Sequence, residues 1–299
     1  MKKALISYLV ILIGLFILLS VMGSGGDYAI EKRVWKIQNQ FNDIAKDPEA
    51  VPDLKYDEVF GELQKIIDKN PDSKLIPGLY VSMGRLYAMK KDYAASREQF
   101  QKIIRKYPDS KRLSADALFS VGKTYEVDDN WAKAYETYKN IQESYPETNV
   151  GLGMPLYIAH YHKGKGEAQS AVLAYDLAEN YYKRISAENS GKPLGFNALR
   201  YLSNCYLEQD QWNEAIGTLG SILEIYASSG HLTVKSADMM VKTINIISAY
   251  QLKDYDVAIR LYQGILDRNP EHPLRDYLKK VVDAFNQLKE KGVQVSEQK

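Results

Sequence analysis

Cysteine is almost missing from this chain of 299 residues; there is one, Cys205. A single thiol excludes a disulfide framework within the chain and any zinc site built on several cysteines. It also leaves no cysteine after the first apolar stretch to carry a lipid. Histidine is scarce, at four, and so is an excess of either charge: 39 Lys and Arg face 38 Asp and Glu, a formal net charge of +1. A nucleic-acid footprint needs a clearly basic domain or stripe, so that balance argues against one. Tyrosine is abundant instead, at 23, within an ordinary globular balance of 45% apolar and 26% charged residues. Many tyrosines beside few catalytic-type residues point to packing or binding. The length allows one large or two ordinary domains.

Long hydrophobic runs are also lacking, with one exception. After Met1, Lys2 and Lys3, an uncharged run opens at Ala4 and closes at Met22. It is close to the roughly 20 residues that cross a bilayer as a helix. Two readings stand: an uncleaved membrane anchor, which the length favours, and a cleaved signal, whose apolar region is usually shorter. Gly23-Ser24-Gly25-Gly26 then reads as a hinge. Lys2 and Lys3 favour a cytoplasmic N-terminus, while Lys32, Arg33 and Lys36 pull the other way. Long domains translocate largely regardless of charge, so residues 27–299 are expected outside the cytoplasm, on a single-pass inner membrane protein or in the periplasm after cleavage.

Tyr-Pro marks an internal repeat. Tyr107-Pro108-Asp109-Ser110 and Tyr145-Pro146-Glu147-Thr148 lie 38 residues apart, Asn70-Pro71-Asp72-Ser73 precedes the first by 37, and Asn269-Pro270-Glu271 follows later. Between the marks one pattern returns: Tyr80, Met83, Gly84, Tyr87, Tyr93, Ser96, Phe100, Pro108. Its second copy is Leu118, Val121, Gly122, Tyr125, Trp131, Ala134, Tyr138, Pro146. The third is Leu199, Leu202, Ser203, Tyr206, Trp212, Ala215, Leu219. Apolar residues three and four apart form one helical face. Short polar turns at 90–92, 128–130 and 209–211 separate two helices per copy, and proline stops the second.

This pattern resembles the tetratricopeptide repeat. The resemblance covers about residues 54–290. The Tyr-Pro-x-Ser/Thr ending and the 37–38 spacing look like those of bacterial envelope tetratricopeptide proteins, such as the lipoprotein of the β-barrel assembly machine and the periplasmic coordinator of the Tol–Pal system. An all-α solenoid of helical hairpins is implied, with an N-terminal transmembrane helix from the apolar run and a capping helix at the C-terminus. The organisation expected is 1–26 anchor or signal with hinge, 27–53 a juxtamembrane helix or partial repeat, 54–272 about five units, and 273–299 a cap and polar tail. Small residues at Gly84, Gly122 and Ser203 would sit where paired helices approach most closely, and Phe100, Tyr138 and Leu219 would fill the space between hairpins. Two units depart from the pattern. Pro155 would clip the first helix near 154–185, and the last unit, with Tyr250 before Tyr255, has a turn one residue shorter.

Nothing in the sequence points to catalysis, a cofactor or a metal. His160 and His162 are two apart, so on a helix they diverge by about 200°. Lys163-Gly164-Lys165-Gly166 lacks phosphate-loop spacing and reads as a turn. Cys205, inside an apolar stripe, reads as a small buried residue. The resemblance instead implies a concave face lined by first helices, where a partner protein or peptide lies. Its positions here are Val81, Arg85 and Ala88; Phe119, Lys123 and Glu126; Arg200, Asn204 and Leu207. In some members a basic residue and Asn at the positions of Arg200 and Asn204 grip a terminal carboxylate, but one repeat alone carries that pair here. Tyr157, Tyr161 and Tyr181 are further candidates to face a partner. The expected function is a membrane-anchored scaffold or adaptor in the cell envelope. The alternatives are a structural or homo-oligomeric subunit of an envelope assembly and, behind it, a glycan binder or enzyme.

Overall fold

The computed structural model describes residues 27–297, with side chains over 30–291. The apolar run at 4–22, and with it the expected transmembrane helix, lies outside the described residues. Among the described residues no helix is long and apolar enough to cross a membrane. The fold is all-α. Thirteen α-helices and one π turn follow one another, with no strand among the described residues, in two compact units that divide after Val150.

The first unit holds three helix pairs. α1 (Asp27–Lys46) pairs with α2 (Asp53–Lys69), α3 (Ile76–Met89) with α4 (Tyr93–Lys106), and α5 (Lys111–Val127) with α6 (Trp131–Ser144). Ile30, Ile37 and Ile44 recur every seven residues on α1, so they share a face, and they are buried against Tyr56, Val59 and Leu63 of α2. Pro48 and Pro52 fall in the connection between these helices, where a missing N–H costs nothing. Gly84 and Gly122 are needed for one steric reason: a β-carbon would lie 2.6 Å from the Phe100 ring at the first and 2.3 Å from the Tyr138 ring at the second. Phe100 and Tyr138 therefore lie over the glycine of their own hairpin, rather than only between hairpins. The Ser96 hydroxyl donates to the Gly84 carbonyl at 2.7 Å, and Ala134 is fully buried, so small residues do bring the second helix close. α4 and α6 start on Asp92 and Asn130, whose side chains accept from the N–H groups of Ala95 and Lys133. Both helices end one residue before Tyr-Pro, because the residue before a proline leaves the helical region.

α7 (Asn149–Gly164) leads into the second unit, with α8 (Ala168–Glu188), α9 (Pro193–Glu208), α10 (Trp212–Tyr226), α11 (Val234–Ile246), a π turn (Ile247–Gln251), α12 (Tyr255–Arg268) and α13 (Arg275–Glu297). Pro155 does not clip α7, which runs through it. Buried Leu152, Met154, Leu156 and Ile158 hold that helix in place, and the Tyr182 hydroxyl stands beside the proline. It accepts from the Leu156 N–H at 3.3 Å and donates to the Leu152 carbonyl at 2.9 Å, the two groups that a regular helical turn would pair. The last unit is corrected too. In four earlier turns the N–H before the second helix reaches a carbonyl five residues back, as from Asp92 to Tyr87 and from Gln211 to Tyr206; from Asp254 it reaches six back, to Ser248. The π turn absorbs the extra residue, so Ser248 occupies the place expected for Tyr250, which is 73% exposed. α13 buries Leu278, Val282 and Phe285 and stacks Phe285 near Tyr255, leaving a polar outer face.

Candidate functional site

The site begins with the spacing of α5. Phe119, Lys123 and Val127 are four residues apart, so they lie one above another on one helical face. They face Arg85 and Ala88 of α3 across a groove whose base carries Tyr93 and Phe100 of α4. The space enclosed is about 270 Å³. Phe119 is half-buried, with its ring 5.9 Å from that of Tyr138. Val127 is 63% exposed at the rim. The charges are unequal in availability. Lys123 is held by Glu126 at 2.8 Å, and Glu126 also accepts the hydroxyl of buried Tyr138. Arg85 is exposed, with no ion pair among the described residues.

Arg85, Phe119 and Lys123 thus converge, as does Ala88. Val81 instead packs against the core around Phe100, and Glu126 serves as a bracket for Lys123 and Tyr138. Ser120, Thr124 and Val127 also line the groove and the repeat pattern did not indicate them; the four-residue step from Phe119 through Lys123 is a signal that could have found Val127. Arg200 and Asn204 lie on α9 in the other unit. Both are exposed, and the Arg200 guanidinium sits 5.8 Å from the Phe196 ring. The groove of the first unit is built without them. Tyr157 and Tyr161 are partly exposed, whereas Tyr181 is buried, so it does not face a partner.

The remaining candidates resolve into structure. His160 bonds Glu208 and His162 bonds Glu167, each at 2.6 Å, so the two imidazoles part company. No cluster that would hold a metal ion occurs among the described residues. Glu208 also accepts the Tyr175 hydroxyl at 2.6 Å; burial, followed by that bond, pushes the Tyr175 phenol up. Cys205 is fully buried, and burial, helped by Glu179 and Glu208, pushes its thiol up to about 12. A thiol so protonated at neutral pH is a poor nucleophile. Gly166 supplies a left-handed turn, φ 74°, before α8.

These hairpins define a helical-repeat protein. The repeat itself is similar to the tetratricopeptide repeat, whose family model matches residues 80–110, 116–148 and 197–229, the segments spanning α3–α4, α5–α6 and α9–α10. No curated protein is similar enough in sequence to count as a relative. Repeats of this kind suggest a protein–protein interaction scaffold.

Proposed function

We propose that this chain is a scaffold that takes a segment of a partner protein in the groove between α3, α4 and α5, and that residues 4–22 hold it at a membrane of the bacterial cell envelope, with the repeats outside the cytoplasm. The groove carries the reading. Three side chains contributed by two hairpins meet over an aromatic base, and one of them, Arg85, is a cation with no acidic partner among the described residues. A partner would seat an aliphatic or aromatic side chain against Phe119, Phe100 and Val127. Its carboxylate would meet Arg85, whose planar fork suits that geometry. Covering the open part of Phe119 and Val127 contributes about 25 cal/mol per Å² of apolar surface removed from water. The anchor reading rests on the apolar run and its basic flank.

A photo-reactive phenylalanine analogue at position 119 of the full-length protein tests this in intact cells. The expected result is one or a few reproducible envelope adducts that disappear with Arg85→Glu. A probe at exposed Glu98, on the second helix of the neighbouring hairpin, should not give them. Partners that crosslink from position 98 and never from position 119 would move binding off the groove, and cytoplasmic adducts would overturn the orientation.

A further inference from the structure

A second cleft, again of about 270 Å³, opens between α1 and α2. Its floor is Ile37 and Ile66, both buried. Four cations stand around it: Arg33 and Lys36 from α1, Lys65 and Lys69 from α2. One carboxylate lies among them, Glu62, 4.0 Å from Lys36. Arg33, Lys65 and Lys69 have no acidic partner among the described residues. Three uncompensated positive charges are therefore concentrated here, in a chain whose whole net charge is +1.

Folding accounts for one of the four, Lys69, which stands in the last turn of α2 where a cation favours the helix dipole; it does not account for gathering the other three beside it. Arg33 and Lys36 are three apart, Lys65 and Lys69 four apart, and like charges at those spacings weaken a helix. The isoleucines do the packing, and flanking residues of mixed sign would serve it better. An anion placed in the cleft offsets these repulsions with an attraction to each cation. Arginine offers two parallel donors to a phosphate, and lysines add point charges. The alkyl stems of the cations, lying over Ile37 and Ile66, give the same cleft an apolar side.

We propose that the α1–α2 cleft binds a phosphate-bearing amphiphile, with the phosphate among Arg33, Lys65 and Lys69 and the apolar portion against the isoleucine floor and the side-chain stems. A phospholipid headgroup and a soluble phosphate ester share that chemistry. Position favours the lipid. α1 opens at Asp27, and six residues of helix put Arg33 only about 9 Å along from that end. Basic side chains within a screening length of an anionic membrane surface are drawn to it on either side of the bilayer. The positional argument rests on the anchor reading above; the charge argument does not.

Amine labelling of the full-length protein, read residue by residue by mass spectrometry, tests the cleft. The protein is placed in nanodiscs of phosphatidylcholine alone or mixed with phosphatidylglycerol. Phosphatidylglycerol should slow labelling of Lys65 and Lys69 by about tenfold, the equilibrium factor at the low end for a hydrogen bond to a charged group. Lys279 and Lys280 of α13 should be unaffected, and Arg33→Glu, an exposed change, should abolish the protection. Octyl phosphate and inorganic phosphate are then added to the phosphatidylcholine discs. Equal protection by octyl phosphate would assign the cleft to a soluble phosphate ester rather than a lipid, and equal protection by inorganic phosphate would overturn the amphiphile, since it has no apolar part. Should the chain fail to enter discs at all, the anchor reading falls, and octyl phosphate added to the free protein still decides the cleft. Lack of protection by all three ligands, or protection that survives Arg33→Glu, overturns the proposal.

Discussion

One methyl group added at Gly122 would put a carbon 2.3 Å from the Tyr138 ring, with no room for either to retreat because Tyr138 is fully buried and its hydroxyl is tied to Glu126. Overpacking of this kind costs about 1–3 kcal/mol. Gly61, inside α2, has nothing within 4 Å of the same added carbon. There the gain in helix propensity stands alone and stabilises by roughly 0.5–1 kcal/mol. Thermal melts of Gly122→Ala and Gly61→Ala should therefore move in opposite directions. Both glycines look alike as letters; the repeat position marks the first, but the ring that makes it obligatory is sixteen residues away. The groove follows the same logic. Arg85, Phe119 and Lys123 were legible from their repeat positions, whereas the pairing of Lys123 with Glu126, which leaves Arg85 as the more available cation, depends on side-chain geometry that no spacing encodes.

Helices of this chain are bounded by local chemistry, and their irregularities are repaired by distant side chains. Asp92, Asn130 and the Tyr-Pro pairs set starts and stops from the sequence alone. Pro155 is different: nothing near it in sequence shows why α7 continues. Tyr182, from the neighbouring helix and 27 residues away, accepts from the N–H of Leu156, next to the proline, and donates to the carbonyl of Leu152, three residues before it. Tyr182→Phe keeps the ring and removes the hydroxyl, taking a buried acceptor from the Leu156 N–H and a buried donor from the Leu152 carbonyl. A loss of about 1–3 kcal/mol is expected in denaturant unfolding. A loss no greater than that of an exposed Tyr250→Phe control would mean that the hydroxyl bridges nothing. At the other end of the unit, the π turn accommodates one residue more than its four counterparts, which is why a count of residues between tyrosines misplaced Tyr250.

For the whole molecule, acid should act on both compact units through ion pairs between residues far apart in sequence. The Arg268 guanidinium bonded to Glu224 holds that carboxyl below its ordinary value of 4.5, and Lys111 does the same for Glu147. A carboxylate whose folded value is depressed contributes stability that is complete above the unfolded value and is lost as pH falls through the folded one. The melting temperature should thus stay level toward pH 5 and drop below about 4.5. Both carboxylates are partly solvated, so each pair is worth at most about 1 kcal/mol. Glu224→Gln should lower the melting temperature slightly at pH 7 and flatten the acid slope; an unchanged slope would assign the acid sensitivity elsewhere.

The sequence by itself determined the all-α class, the three strong hairpins, their starts and stops and the glycines between them, because each follows from contacts within a few turns of helix or from backbone limits carried by single residues. It also marked the face on which Arg85, Phe119 and Lys123 lie. Tertiary structure alone decided the rest. It carried α7 across Pro155, moved Tyr250 to the surface, buried Tyr181, left Arg85 without an acidic partner among the described residues and gathered four cations from two helices around one cleft. Those outcomes depend on which side chains meet across helices dozens of residues apart, and the periodicity of a helix fixes the face a residue occupies but not the neighbour it finds there.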